Sequence, residues 1–596
     1  MIRRLRWKIV AINMAMVTAV LLAVFAGVLL SSRAAVERSV NQRLLQVIQT
    51  GRYDASLPGQ GSVPCFVADI YPSGTVRLSG SSYYQLDDQD AMADIVTACL
   101  EQGSESGVLR AYHLRYLRAD GPLYTRIAFT DAAQEDATLR AVVKMCLIVG
   151  VAALAVLLGC SWLLAGLAAR VIDARGKWVT PGFIDIHRHA DAAAFRPGFG
   201  ELELRQGLTT IVNGNCGLSC APVGPENLPA ILSYLEPICG RVPPEAAQET
   251  LAGYFAAQPA APLHTGMLVG AGTVRASAAG YQVQRLEPAH YAAIHRRLEQ
   301  ALADGALGVS LGLGYAPECF YTTDELIRAL APLAGQSIPI TVHMRQEGGG
   351  VVTAAQEMVE VARALKAPVH ISHLKAMGRD NWRSKVPQVL ALLDRARQEG
   401  LDLSCDVYPY TAGSTQLLHI LPPEFLAGGM EAIVRRLGDP DQRRQLARRI
   451  ESGDGFDDIA RLAGWDGIFL TSLHCPEDHP YQGMSLARIA ALTGQDPLTC
   501  CCDLLVREQG EITMIDFMAD EEDIAAILRD PFSNLISDST YPTEGQPHPR
   551  VYGTFVHLLT RFVLQRGDLT PEAAIHKMTG RPAAVLGMSD RGVLAP

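Results

Sequence analysis

Two histidines separated by one residue, His187 and His189, end an apolar run that begins at Pro181. Alternate side chains of a β-strand point to the same side, so both imidazoles would leave one face of a strand at its C-terminal end. That geometry suits a metal ion, but a single His-x-His does not identify a site on its own. The residues that follow in the chain therefore decide between a metal site and an ordinary histidine pair.

Short apolar segments alternate with helix-period segments from Pro181 onward, which is the pattern of a parallel α/β fold. The candidate strands number eight, as in a TIM barrel, and they are 182–188, 209–215, 265–271, 306–313, 338–344, 368–374, 401–408 and 534–538. Helical apolar spacing lies between them at Tyr291, Ile294, Leu298 and Ala301, and at Val386, Val389, Leu390 and Leu393. The long interval at about 410–530 predicts an insertion that covers the barrel mouth.

Candidate metal ligands fall at the ends of these strands, where the active sites of TIM barrels lie. They end the first, second, fifth, sixth and eighth candidate strands, and they are His187, His189, Cys216, His343, His373 and Asp538. Each has an ordinary explanation by itself, such as a hydrogen-bonded core histidine or a helix cap. Their joint occurrence favours a metal centre, and nitrogen, sulfur and oxygen ligands suit Zn²⁺ better than Mg²⁺ or Ca²⁺.

These motifs resemble the amidohydrolase superfamily and, within it, the D-aminoacylase or N-acyl-D-amino-acid deacylase family. The resemblance covers about residues 171–596 and includes Gly-Asn-Cys-Gly at 214–217, Tyr-Pro-Tyr at 408–410 and the segment 548–555. Many amidohydrolases bridge two metals with a lysine on strand four, but 305–313 contains none. The family resembled here uses a cysteine from strand two, which would be Cys216. The resemblance implies a TIM-type (β/α)8 hydrolase barrel that cleaves N-acyl-D-amino acids to a carboxylate and a free D-amino acid.

The resemblance also implies how the metal is held. A tight zinc ion would be bound by Cys216, His343 and His373. A weaker second metal site would use His187, His189 and Cys216.

Catalysis and substrate binding are implied for four further residues. Asp538 would be the general base that deprotonates the attacking water and passes the proton to the departing amine. The free α-carboxylate of the substrate would need cations and a phenol, for which the candidates are Lys375, Arg550 and Tyr408. Tyr410 is the alternative phenol. The D stereochemistry is inherited from the resemblance, and the preferred side chain cannot be deduced from these residues.

The first 170 residues predict membrane segments. An uncharged run at 9–32 follows four basic residues, and a second run at 145–169 precedes Arg170, Arg175 and Lys177. Each run is long enough to span a bilayer, and a cleavable signal peptide is the competing interpretation of the first. The positive-inside rule places both termini in the cytoplasm. We therefore expect a first span within 1–32, an extracytoplasmic domain at 33–143, a second span at 144–170 and a cytoplasmic hydrolase at 171–596.

The predicted extracytoplasmic domain has small α+β character. Segments 112–117 and 123–128 flank the turn sequence 119–122 and predict a hairpin. With its two spans, this part resembles the input half of a bacterial sensor histidine kinase, but no phospho-accepting region follows. The chain reads like two genes joined near Ala169/Arg170, by natural fusion or by an assembly error. The accessory β-domain usual in the deacylase family would then be incomplete.

The charge of the chain limits the kinds of molecule it is expected to bind. A net charge of -10 and a pI near 5.9 argue against a nucleic-acid partner. The expected partners are a small N-acyl amino acid and the lipid bilayer, and no protein partner is indicated. Alternatives to the deacylase are a dihydroorotase-like cyclic amidase, which the missing strand-four lysine disfavours, and a membrane receptor fused to an impaired or ligand-sensing barrel.

Overall fold

The computed structural model describes residues 2–50, 64–167, 174–453 and 455–594. The chain divides into two compact units, one up to Lys177 and one from Trp178 onward. The predicted junction at Ala169/Arg170 lies outside the described residues.

The first unit is a small α+β domain between two long helices. Helices α1 (Ile2–Thr50) and α3 (Ala133–Leu167) pack against each other, and α2 spans Gln89–Glu101. The antiparallel sheet has the order β2-β1-β5-β4-β3, with β1 Cys65–Ile70, β2 Val76–Gly80, β3 Ser106–Leu109, β4 Leu114–Asp120 and β5 Thr125–Asp131. Strands β4 and β5 form the predicted hairpin, with Leu117 opposite Ala128.

Two stretches of the long helices are apolar and long enough to cross a membrane. They are Ala11–Thr50 and Glu135–Ser161, identified by length and composition. They overlap the predicted spans at 9–32 and 145–169, whose last two residues lie outside the described part of the chain. The same features fit a signal sequence at the N-terminus, so membrane insertion stays a prediction.

The second unit contains the barrel that the apolar segments predict. A strand lies within or overlaps every candidate segment: β6 (Phe183–Asp185), β7 (Leu208–Asn213), β8 (His264–Met267) continued by β9 (Val269–Gly270), β10 (Val309–Gly312), β11 (Ile340–His343), β12 (Val369–Ile371), β13 (Leu403–Val407) and, after three strands of the insertion, β17 (Ser533–Leu535). They pair in parallel as β6-β7-β8 and as β9-β10-β11-β12-β13-β17. The last strand returns to the first, because the Asp538 amide donates to the His187 carbonyl at 2.9 Å.

Helices between these strands cover the outside of the barrel. Their bounds are α4 Glu201–Arg205, α5 Leu228–Cys239, α6 Leu251–Ala257, α7 Ala271–Ala279, α8 Pro288–Ala303, α9 Thr323–Ala329, α10 Val351–Leu365 and α11 Lys385–Gln398. Helix α8 buries the four predicted residues. Helix α11 buries three of its four, because its buried stripe shifts to include Leu392 and Ala396 while Leu390 stays half-buried.

The segment 410–530 forms a small sheet with helices of its own. The antiparallel sheet has the order β14-β16-β15, with β14 Ala412–Gln416, β15 Ile468–Ser472 and β16 Thr513–Phe517. The helices are α12 Met430–Gly438, α13 Pro440–Ser452, α14 Ile459–Ala463, α15 Leu486–Thr493, α16 Pro497–Arg507 and α17 Glu521–Arg529, and α18 Arg550–His557, α19 Pro571–Met578 and α20 Gly580–Val585 follow β17. Side chains from this segment, including Ser414, His419 and Met518, line a cavity that also contains the strand-end histidines. The segment therefore contributes to the wall of that cavity.

Candidate metal centre

The first group of candidate ligands converges on the sulfur of Cys216. Its Sγ lies 3.3 Å from His187 Nε2 and 3.4 Å from His373 Nε2. His373 Nε2 is in turn 3.1 Å from His343 Nδ1. The structure thus brings together the three side chains predicted for the tight site.

The second group surrounds Asp538. Its Oδ1 lies 3.3 Å from His187 Nε2 and 3.3 Å from His189 Nε2. Because His187 contacts Cys216 as well, the two groups are adjacent and share a histidine. This arrangement has the ligands for two neighbouring ions.

Three of these residues have an uncommon backbone conformation. Cys216, His373 and Asp538 follow β7, β12 and β17 and have φ of 53°, 37° and 50°. Non-glycine residues rarely adopt positive φ, and each such residue costs about 1–3 kcal/mol. The backbone turns at these strand ends therefore hold non-glycine residues in a conformation that destabilises the fold. Backbone strain of this kind often occurs at active sites.

Glycines make room for the Cys216 turn. Gly217 has φ of 73°, and a Cβ there would lie 2.8 Å from the Gly312 nitrogen and closer still to Glu318 Oε2. Any side chain at this position would therefore displace the cysteine loop. This close approach explains the glycine that follows Cys216 in the Gly-Asn-Cys-Gly motif.

The donor set fits zinc. The ligand atoms of His187, Cys216 and His373 lie within 4.8 Å of one another, and all three side chains are buried. Burial opposes ionisation of Cys216, but the adjacent His187 and His373 imidazoles hold the pKa of the thiol well below its usual range. His343 Nε2 and His189 Nδ1 are buried without a hydrogen-bond partner. A thiolate among imidazoles is the ligand chemistry of Zn²⁺.

A buried glutamate that the sequence analysis missed supports this centre. Glu347 Oε1 lies 2.9 Å from His373 Nδ1, and its Oε2 lies 2.7 Å from Lys375 Nζ. A carboxylate beside the far ring nitrogen orients a metal-binding histidine and raises its basicity. The only sequence signal was its place four residues after His343, in the loop behind β11.

The sequence analysis also missed Asp406 on β13. Its Oδ1 accepts from the His373 amide, and its Oδ2 lies 2.8 Å from His370 Nε2 and 3.8 Å from His187 Nδ1. Its partners come from neighbouring strands, so they are visible only in three dimensions. An acidic residue inside a candidate strand was the available signal.

The predicted substrate-binding residues also come together. Lys375 Nζ and the Arg550 guanidinium carbon lie 5.8 Å and 5.0 Å from the centre of the Tyr408 ring. Tyr410, the alternative phenol, stacks on His557 with ring centres 4.7 Å apart and does not line the cavity. The structure therefore favours Tyr408.

Arg550 also contacts the predicted base. Arg550 Nη1 donates to Asp538 Oδ2 at 2.8 Å. Burial opposes ionisation of Asp538, but Arg550 and His187 hold the pKa of its carboxyl well below its usual range. Asp538 is therefore an ionised carboxylate, with Oδ2 fixed by Arg550 and Oδ1 facing the histidine pair.

A cavity opens onto this centre. Eight of the nine predicted site residues line it: His189, Cys216, His343, His373, Lys375, Tyr408, Asp538 and Arg550. His187 is the exception, although it contacts both Cys216 and Asp538. Tyr315 and His419 also line the cavity and were not predicted. Nothing in their sequence context marks them.

Comparison with known proteins points to one family. A sequence profile of the amidohydrolase family matches residues 170–596. The chain is 32% identical over 431 residues to D-aminoacylase from Alcaligenes xylosoxydans xylosoxydans, covering 71% of this chain and 76% of the relative. It is 35% identical over 431 residues to N-acyl-D-glutamate deacylase from the same organism, covering 72% and 77%.

A solved structure agrees with these relatives. N-acyl-D-glutamate deacylase from Bordetella bronchiseptica, complexed with zinc and a phosphonate mimic of the tetrahedral intermediate, is 31% identical with a TM-score of 0.57. The match covers 70% of this chain and 77% of that one. Because the family profile begins at residue 170, the resemblance of the preceding part to a sensor-kinase input half stays a prediction.

Proposed function

Because this chain belongs to the amidohydrolase family, we propose that it hydrolyses the amide bond of N-acyl-D-amino acids to a carboxylate and a free D-amino acid. The relatives known as D-aminoacylase and N-acyl-D-glutamate deacylase support this reaction. The observation that carries the proposal is the convergence of Cys216, His373 and Asp538 at the ends of three barrel strands, each with positive φ.

The metal is held by the residues described above. Cys216, His343 and His373 would hold a tight zinc ion, and His187 and His189 with Cys216 would hold a weaker one. When bound, zinc supplies Lewis acidity, which lowers the pKa of water and favours negative charge on the substrate carbonyl oxygen.

Asp538 moves the proton in this reaction. Its Oδ1, 3.3 Å from both His187 and His189, accepts a proton from the attacking water and returns it to the departing amine nitrogen. Arg550 holds the other carboxylate oxygen at 2.8 Å, so the base keeps one orientation. The low pKa of Asp538 keeps it ready to accept a proton at neutral pH.

Three side chains bind the α-carboxylate of the substrate. Lys375 and Arg550 supply charge, and the Tyr408 hydroxyl supplies a hydrogen bond. Before substrate binds, Glu347 and Asp538 balance these two cations. The carboxylate therefore enters a site whose cations are already positioned by buried partners.

We also propose that α1 and α3 insert in the cell membrane, with both termini and the hydrolase unit in the cytoplasm. The two apolar stretches and the basic residues that flank them support this topology. Carbonate extraction followed by protease digestion of right-side-out and inverted vesicles tests it. Protection of a C-terminal tag in inverted vesicles would refute the cytoplasmic placement.

The function is tested with zinc analysis and a substrate panel. The detergent-solubilised full chain is assayed against N-acetyl-D- and N-acetyl-L-amino acids, beside Asp538→Asn and the exposed control Asp466→Asn. We expect bound zinc, D-selective turnover, loss of turnover in Asp538→Asn with zinc retained, and wild-type behaviour of the control. L-selective turnover, or full activity of Asp538→Asn, would refute the proposal.

A further inference from the structure

The side chain of the substrate is set by the residues around the cavity. We propose that this site takes N-acyl-D-amino acids with neutral, apolar side chains and discriminates against the acidic derivatives of D-glutamate and D-aspartate. This inference rests on the proposed function and specifies its substrate class. Its basis is a cavity in which each strong cation is already matched by a buried acid.

The lysine and arginine side chains that line the cavity are both already paired, so neither is free for a second carboxylate. Among its described lining residues, Lys375 and Arg550 are the lysine and arginine, at 2.7 Å from Glu347 and 2.8 Å from Asp538. Both are needed for the α-carboxylate that every N-acyl amino acid carries. A side-chain carboxylate would therefore be buried unpaired, which is costly.

A third acid in the cavity further disfavours a negatively charged substrate side chain. Asp516 on β16 lines the cavity, is 2% exposed and has an Oδ1 without a hydrogen-bond partner. A Cβ on Gly413 would lie 2.9 Å from this Oδ1 and 3.2 Å from the Tyr408 hydroxyl. Gly413 therefore lies against the acid, the phenol and the terminal methyl group of Met518, which is the nearest atom to that Cβ position. An acidic substrate side chain in this part of the cavity would meet a carboxylate.

Five apolar side chains also line the cavity. Leu218, Ile238, Met377, Ile459 and Met518 all line the cavity. Met377 and Met518 are neighbours, because the Gly378 amide donates to the Met518 carbonyl at 2.9 Å. Unbranched methionines adapt to apolar groups of different shape. A methionine, leucine or phenylalanine side chain on the substrate would contact this surface.

Overall sequence identity does not give this answer. The chain is 35% identical to N-acyl-D-glutamate deacylase and 32% identical to D-aminoacylase, so identity alone slightly favours an acidic side chain. The charged residues that line the cavity favour a neutral side chain instead.

The test compares kcat/KM for N-acetyl-D-methionine and N-acetyl-D-glutamate on the zinc-loaded full chain in detergent. We expect the methionine derivative to be preferred by about 100-fold, the size of discrimination that a mismatched polar group produces. Equal rates, or a preference for the glutamate derivative, would overturn the inference.

Two variants test the cause of the preference. Met518→Lys introduces an ammonium group on a side chain of similar length, at a position whose backbone carbonyl is held by Gly378 and the Trp382 indole. We expect it to shift the ratio toward glutamate at least tenfold, whereas Met518→Leu keeps the wild-type ratio. Asp516→Asn removes the facing charge and should shift the ratio in the same direction. An unchanged ratio in both charge variants would overturn the inference.

Failure of the proposed function is distinguishable from failure of this inference. If neither derivative is hydrolysed, the proposed function is wrong. Calorimetric titration of the same two compounds into the zinc-loaded protein then decides the selectivity. Tighter binding of N-acetyl-D-methionine would support it, and tighter or equal binding of N-acetyl-D-glutamate would overturn it.

Discussion

Glu347→Gln tests how the buried carboxylate supports the metal centre. Glu347 is 2% exposed and touches both His373 and Lys375, so the amide leaves the Lys375 ammonium without a buried counter-charge. Removing one partner of a buried ion pair costs about 3–5 kcal/mol. We expect the lower end, about 3 kcal/mol, because Lys375 Nζ keeps a hydrogen bond of 3.1 Å to the His373 carbonyl.

The same change weakens zinc binding. Loss of a carboxylate beside a metal-binding histidine typically lowers metal affinity about 10–100-fold. Stability is measured by urea unfolding of the metal-free full chain, where about 3 kcal/mol at a slope of about 3 kcal/mol/M moves the midpoint by about 1 M. Zinc affinity is measured by competition with a chromophoric chelator.

Glu360→Gln is the matched control. Glu360 is an exposed glutamate on α10, in the same part of the barrel, and its change should leave both quantities within error. If Glu347→Gln unfolds at the wild-type urea concentration and binds zinc as tightly as the wild type, Glu347 does not support the centre and the reasoning is wrong.

Three further predictions concern the metal, a buried acid and a buried arginine. Removing the metal with a chelator should abolish turnover and adding Zn²⁺ should restore it; full turnover of protein shown to be metal-free would contradict the site. Burial raises the pKa of Glu318 to about 8, although the hydrogen bond that the Gly312 amide donates to its carboxylate acts to lower the pKa. Its stabilisation is therefore complete below an unfolded pKa of about 4.3 and is lost as pH rises through 8, so Glu318→Gln should gain stability relative to wild type between pH 5 and 9 in urea unfolding. A pH-independent difference would refute this assignment. Arg188 is fully buried against Asp185 and Glu203, so Arg188→Met should cost about 3–5 kcal/mol of unfolding free energy. Arg205→Met, at an exposed ion pair, should cost little, and equal effects of the two would contradict the burial argument.

The barrel was predictable because buried parallel strands appear as nearly continuous apolar runs. The same runs located the ligands, since strand ends of a TIM barrel meet at one face. Cys216 and Asp538 were found in this way although they lie 322 positions apart in the printed sequence. Boundaries were less exact: the prediction extended several strands by a few residues, because apolar character continues into the buried loops.

Residues whose role depends on several strands were not predictable. Asp406 binds His370 and the His373 amide from the neighbouring strand, and a one-dimensional pattern does not show that contact. His419 and Asp516 come from the segment between β13 and β17. The sequence pattern of this segment does not show where it lies on the barrel. Tyr408 and Tyr410 belong to the same Tyr-Pro-Tyr motif, and the sequence does not tell them apart. Only the structure shows that Tyr408 lines the cavity whereas Tyr410 stacks on His557.

The positive φ of Cys216, His373 and Asp538 also bears on the history of this gene. Glycine adopts that backbone conformation without the penalty of about 1–3 kcal/mol that each of these residues carries. A copy no longer selected for turnover could accept glycine at all three positions without that backbone penalty. Related sequences can be compared at these positions: we expect those that keep the metal centre to retain the three strained residues, and those that have lost it to carry glycine there more often.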